Sequence, residues 1–178
     1  MSKLKEIPKL KSLRLNRVDA LDSHTIGTLV NLTELSMEEV EAGDLGYIAD
    51  LKKLKKLELK RVTIPDLAFL KNLKHLTTFS TDERARDESH LAVAGELRKL
   101  VEFTYPAGDL SIFRDSAALR EIGVDAARYS GLEQISGCNL KGITIFGAAS
   151  EEEAHAVVAE FKTYFSLQSY GWQVTWKE

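Results

Sequence analysis

The sequence predicts an α/β solenoid, a stack of short repeats. Each repeat gives one strand to a parallel sheet and one helical or 3-10 turn to the opposite side. Three observations predict it. Leu10-Lys11-Ser12-Leu13-Arg14-Leu15 is matched by Leu32-Thr33-Glu34-Leu35-Ser36-Met37, Leu54-Lys55-Lys56-Leu57-Glu58-Leu59 and Leu76-Thr77-Thr78-Phe79-Ser80-Thr81, so the first residues lie 22 apart three times running. The last two inward sites of each segment are two residues apart, which in a strand puts both side chains on one face. So short a face cannot be buried within its own unit, and the units must stack to form a core.

The repeat continues at looser spacing. Leu100-Val101-Glu102-Phe103-Thr104-Tyr105, Leu119-Arg120-Glu121-Ile122-Gly123-Val124 and Leu140-Lys141-Gly142-Ile143-Thr144-Ile145 follow at uneven steps. About seven units result, and the solenoid is expected over 1–149. Segments such as Ile64-Pro65-Asp66-Leu67-Ala68-Phe69-Leu70 supply the return turns. The third unit, Leu51 to Ile64, resembles a 22-residue leucine-rich repeat of the short bacterial or SDS22-like type. The resemblance implies a sheet on the concave face, helical or 3-10 turns on the convex face, and a role in binding other proteins. The chain departs from that pattern at Val18, Val40 and Val62, where the family usually places Asn or Cys. A side-chain amide ladder is therefore absent from the first three units. Apolar packing must replace it, and the backbone groups of those turns need other partners. Gly108, Ala127 and Ala148 stand at about this site later, which predicts tighter and less regular turns.

Two stretches break the pattern. Asp82-Glu83-Arg84-Ala85-Arg86-Asp87-Glu88-Ser89 is a mixed-charge run, expected as a solvated turn before a helix at roughly 90–99 in which Leu91, Ala94 and Leu97 face the core. A protruding loop that contributes to binding is the other reading. From Ser150 the repeat stops. Ser150-Glu151-Glu152-Glu153 has the form of a capping box. Ala154, Val157, Val158, Phe161, Tyr164 and Phe165 recur at three- and four-residue spacing, which predicts an amphipathic helix over about 151–165. Trp172-Gln173-Val174-Thr175-Trp176 alternates and reads as a strand. Residues 150–178 are thus expected to cap the last repeat within the same domain. The two tryptophans either pack that cap or form an aromatic patch for a partner.

Outward sites flank the inward ones. The central column reads Arg14, Ser36, Glu58, Ser80, Thr104, Gly123 and Thr144. The column before it runs Ser12, Glu34, Lys56, Thr78, Glu102, Glu121 and Gly142. The column after it runs Asn16, Glu38, Lys60, Asp82, Pro106, Asp125 and Phe146. Signs alternate in the first half, where Glu34 with Lys56 and Glu38 with Lys60 and Asp82 are expected to pair. The second half is acidic and apolar. Glu58, Lys60, Asp82, Glu102, Thr104, Glu121, Asp125 and Phe146 are therefore the candidate partner-binding residues, and Glu102, Glu121 and Asp125 favour a basic partner. Tyr105 occupies an inward site.

Composition narrows the class. The 178 residues suffice for one domain with a substantial core. A net charge of -3 and a pI near 5.9 argue against non-specific nucleic-acid binding. Cys138 is the one cysteine, so no intrachain disulfide forms, which fits a reducing compartment. The N-terminus leads straight into repeat sequence, and no apolar run reaches membrane-spanning length. A complete cytoplasmic protein is expected.

Chemistry is sparse. Glu151 and His155 lie four apart on the predicted helix, a spacing that can serve a metal, but no second ligand pair accompanies them. Asp87, Ser89 and His90 are the residue types of a hydrolase triad, yet a triad is a spatial arrangement and not a run of neighbours. His24 and His75 are isolated. Cys138 is expected as a small buried or half-buried thiol. Gly131, Gly142 and Gly147 form no phosphate cradle, and Lys52, Lys53, Lys55 and Lys56 read as a local run on a solvated turn. No catalysis, cofactor or metal is expected. The expected role is binding a protein through the concave face, as a monomer and without nucleic acid or membrane. Alternatives are a bacterial immunity or antitoxin-type inhibitor of a toxin, a self-associating adaptor that pairs through its last strand, and an enzyme or metal protein built around Glu151, His155 and the Trp172–Trp176 strand.

Overall fold

Residues 22 apart in sequence become neighbours across strands. In a computed structural model, β1 (Ser12–Val18), β2 (Glu34–Val40), β3 (Lys56–Lys60) and β5 (Thr78–Thr81) run parallel. Their register aligns Leu13, Leu35, Leu57 and Phe79, and also Leu15, Met37, Leu59 and Thr81. The structure describes residues 7, 9–19, 23–106, 108–166 and 172–176, the last five by their backbone. The chain divides into two compact units, Met1–Leu100 and Val101–Glu178.

In the first unit the inward columns form the core. Leu35, Leu57, Phe79, Met37 and Leu59 are buried, and each such side chain contributes about 1.5–3 kcal/mol by leaving water. Thr81 takes the last inward place and satisfies its hydroxyl locally, accepting from the Glu83 amide at 3.0 Å. The turns are tied at the repeat distance. The amides of Thr33, Lys55 and Thr77 donate to the carbonyls of Lys11, Thr33 and Lys55 at 2.7, 2.8 and 2.8 Å. Val40 and Val62 are buried where the resemblance would place Asn, so apolar packing does replace the amide ladder. One backbone group of those turns finds its partner directly, since the Glu41 amide donates to the Val18 carbonyl at 3.1 Å. The return segments are α1 (Ser23–Gly27) and 3-10 helices at Gly46–Asp50, Ala68–Asn72 and Leu91–Glu96.

The charged run differs from expectation. It contains a strand, β6 (Ala85–Asp87), paired in parallel with β4 (Ile64–Asp66). Ala85, its one apolar member, takes an inward place in register with Ile64, and both are buried. The flanking charges close on each other, with Arg84 donating to both carboxylate oxygens of Glu88 at 3.0 and 2.7 Å. The helix that follows is 3-10 and shorter than expected, but Leu91, Ala94 and Leu97 are buried as the pattern requires.

In the second unit β7 (Glu102–Thr104), β9 (Glu121–Asp125), β11 (Gly142–Ala148) and β12 (Trp172–Trp176) run parallel, and β8 (Gly108–Asp109) pairs with β10 (Tyr129–Ser130). Phe103 packs on Phe113 and Tyr105, with ring centroids 4.9 and 6.0 Å apart. Tyr105 is buried, as its inward site requires. Between β11 and β12 lies α2 (Glu151–Tyr164). Its N-terminus is capped twice: the Glu153 amide donates to Ser150 Oγ at 3.1 Å, and Glu153 Oε2 accepts from the Ala149 amide at 2.6 Å. Ala154, Val157, Val158, Phe161 and Phe165 are buried. Tyr164, expected on that stripe, is 39% exposed because Phe165 takes the inward place. The side chains of Trp172 and Trp176, and with them the choice between cap packing and an aromatic patch, lie outside the described residues.

Candidate functional site

The open face of the sheet is built by strand alternation: Leu57 and Leu59 turn in, so Lys56, Glu58 and Lys60 turn out. In the first unit several of the outward charges are satisfied within the fold. Lys56 Nζ lies 3.0 Å from Glu58 Oε1. Glu38 takes Arg61 at 2.6 Å and Asn16 at 3.1 Å, so its partner is Arg61 and not the expected Lys60. Asp82 accepts the Arg61 amide at 2.8 Å. Lys60 is exposed, with no ion pair among the described residues. Of the three candidates here, Glu58 and Asp82 are thus occupied within the fold.

A ladder that the outward columns did not include ends these strands. Arg17, Glu39 and Arg61 stand 22 apart, and all three have left-handed backbone, with φ of 51°, 52° and 49°. L-residues adopt that conformation at a cost that surrounding contacts must offset. Glu39 supplies the contacts, 2.7 Å from Arg17 and 2.8 Å from Arg61. The Arg17 hydrogen bond, with the charges of Arg17 and Arg61, holds the Glu39 carboxyl below the usual carboxylate range. The signal was present in the sequence as alternating charge at the repeat distance. A second such column is Asp44, Asp66, Asp87 and Asp109, whose Oδ1 atoms accept from the amide two residues on at 2.7, 2.7, 2.9 and 2.9 Å. These aspartates open the turns before the 3-10 helices at Gly46–Asp50, Ala68–Asn72, Leu91–Glu96 and Leu110–Phe113.

In the second unit the face is different. Glu102 and Glu121 are register partners on adjacent strands. Asp125 follows Glu121 by four residues and so shares its face. Glu121 is exposed, and neither it nor Asp125 has an ion pair among the described residues. Asp125 Oδ1 accepts the Ala127 amide at 3.0 Å, leaving its charge uncompensated. The nearby guanidinium of Arg120 is directed to the carbonyls of Ala117 and Leu119 at 2.9 and 2.8 Å. Thr104 is a correction. It is 8% exposed, and its Cγ2 and the Phe146 ring both crowd the bare Cα of Gly123. A β-carbon there would stand 2.8 Å from Thr104 and 2.9 Å from Phe146. Thr104 offers almost no surface to a partner, and Phe146 is half-buried over the glycine.

The remaining polar groups fit structural roles. Ser89 hydrogen-bonds Asp87 through its amide at 2.9 Å and places Oγ 3.3 Å from His90 Nδ1. The serine stands between acid and imidazole, which is not the order of a proton relay. The Ser89 hydrogen bonds hold the Asp87 carboxyl below its usual range. His155 Nδ1 is 2.9 Å from the Glu151 carbonyl oxygen. Cys138 is buried and donates to the Phe113 carbonyl at 3.2 Å, and burial pushes its thiol pKa up.

Solved structures share this arrangement of parallel strands and short turns. An internalin (inlF) from Listeria monocytogenes superimposes with a TM-score of 0.61 at 15% identity over 97% of this chain. The fold is that of the leucine-rich repeats. Internalin C2 from the same organism gives 0.60 at 15% identity, covering 98% of this chain and 84% of its own. The leucine-rich-repeat chain spans 57% of the inlF structure's length. No protein-family model and no curated protein matches the sequence. Among the described residues, no helix is long and apolar enough to cross a membrane.

Proposed function

We propose that the chain is a protein-binding module, and that the open face of its second unit receives a basic segment of the partner. One observation carries this reading: Glu102 and Glu121 stand in register on adjacent strands, with Asp125 on the same face. Glu121 and Asp125 have no ion pair among the described residues, and a lysine or arginine brought by a partner is steered in by their field. The half-buried Phe146 ring beside them adds an apolar contact. The leucine-rich-repeat fold supports the class, and the placement of Ser89 between Asp87 and His90 favours a turn over a catalytic site.

The test uses Glu102→Lys, Glu121→Lys and Asp125→Asn together, the last chosen because Asn keeps the cap on Ala127. A fluorescein-labelled lysine- and arginine-rich peptide is titrated by anisotropy, beside affinity capture from native lysate. Binding by the wild type that weakens with salt and drops at least tenfold in the variant is expected. Equal binding by both proteins would remove the face from consideration.

A further inference from the structure

In sequence, Lys52, Lys53, Lys55 and Lys56 form a local run. In the first unit the run belongs to a longer row. The turns that lead into β3 and β5, and the turn that ends the unit, carry Lys52 and Lys53, Lys74 and His75, and Arg98 and Lys99 at equivalent places. Val30 and Asn31 hold those places in the turn before β2. Side chains join successive turns: Lys53 Nζ donates to Asn31 Oδ1 at 2.7 Å, and Lys99 Nζ lies 3.1 Å from His75 Nδ1. Lys9, Lys11 and Lys55 are exposed along the same edge, where the strands begin. Among the described residues, two of these cations have an ion pair, Lys74 with Glu96 at 4.0 Å and Lys56 with Glu58 at 3.0 Å. Adjacent strands stand about 4.8 Å apart, so four successive turns make a row about 15 Å long.

The row has a recess. Gly27, Val30, Asp50, Lys52 and Lys53 line an open depression of about 510 Å³. Val30 is 50% exposed there, an apolar floor beside Lys52, Lys53 and the single carboxylate of Asp50.

We propose that this edge docks an acidic, glutamate- or aspartate-rich segment of a partner protein, its carboxylates along the cation row and an apolar side chain on Val30. Charge complementarity and the recess select this occupant. Single-stranded nucleic acid is held by broad aromatic platforms together with cations, and the row has no Phe, Tyr or Trp among the described residues. Duplex binding draws on an overall basic excess, whereas this chain carries a net charge of -3. A flat anionic bilayer can meet the cations but cannot fill the recess beside them.

The probe is a fluorescein-labelled glutamate-rich peptide carrying one leucine, titrated by anisotropy at low ionic strength. Reversing three cations with K52E/K53E/K74E is expected to weaken binding about tenfold or more. The neutral variant K52Q/K53Q/K74Q weakens it less, and an unchanged urea midpoint shows that it folds. Arg86→Glu, on β6 away from the row, leaves binding unchanged. Replacing the peptide's leucine with alanine weakens binding severalfold. The variant altered at Glu102, Glu121 and Asp125 binds this peptide like the wild type, so this edge stands or falls apart from the open face. Three results would each overturn the proposal: no binding by the wild type, equal loss in R86E, or tighter binding of oligo-dT or phosphatidylserine vesicles.

Discussion

Gly123 sits where two outward side chains of neighbouring strands converge, and the smallest residue is what lets them do so. A methyl group there meets Thr104 Cγ2 at 2.8 Å, Phe146 Cε2 at 2.9 Å and the Thr104 Cα at 3.0 Å. The ring can swing aside and the backbone cannot. Gly123→Ala is therefore expected to cost about 1–3 kcal/mol, read as a lower urea midpoint. In a Phe146→Ala background the same substitution should cost less, because one of the crowding groups is gone. Equal costs in both backgrounds would show that the ring does not rest on the glycine. The outward columns assigned Thr104, Gly123 and Phe146 their direction but not their burial. Burial depended on which neighbour is small, a relation between β7, β9 and β11 that no single segment contains. Glu121 was easier to place: an outward site with no cation at the facing positions is visible from the columns alone.

At the level of elements, α2 was legible because its signals are local. Ser150 and Glu153 mark its start, the apolar spacing marks its buried face, and the helix ends at Tyr164, one residue from the expected limit. The cap also has measurable consequences. Ser150→Ala leaves the Glu153 amide without its acceptor and is expected to cost about 1 kcal/mol, seen as a lower melting midpoint, whereas Ser150→Thr should retain most of it. A Ser150→Ala protein that melts with the wild type would mean that water caps the helix equally well. The strand β6 was not legible. Its pairing partner β4 lies one whole repeat earlier in the chain, and one alanine among charges carries no periodicity. The same holds for the 3-10 returns. In the return at Leu91–Glu96 the inward residues Leu91 and Ala94 were found from spacing, but a three-residue turn and the start of an α-helix look alike in a short apolar pattern.

For the whole molecule, the 22-residue spacing predicted the parallel register correctly, since one period fixes every long strand of the first unit. The charges are distributed so that a net of -3 conceals a cation row along one edge of the first unit and an acidic face on the second. Sequence columns read across strands found the second and missed the first, because turn residues were not aligned. Four large apolar side chains are exposed among the described residues: Ile7, Val30, Val101 and Tyr164. Light scattering on the purified chain is expected to return the monomer mass of 19.9 kDa, as for a module whose partner is another protein. Twice that mass, persisting on dilution, would transfer the proposed role to self-association. The ladder of Arg17, Glu39 and Arg61 bears on how such a gene can drift. Those side chains meet only when the intervening turns have equal length, so the ladder acts as a gauge that penalises any inserted or deleted codon between them. The uneven steps that bring in Leu100, Leu119 and Leu140 all fall after Arg61, where no rung of that ladder remains to check the count.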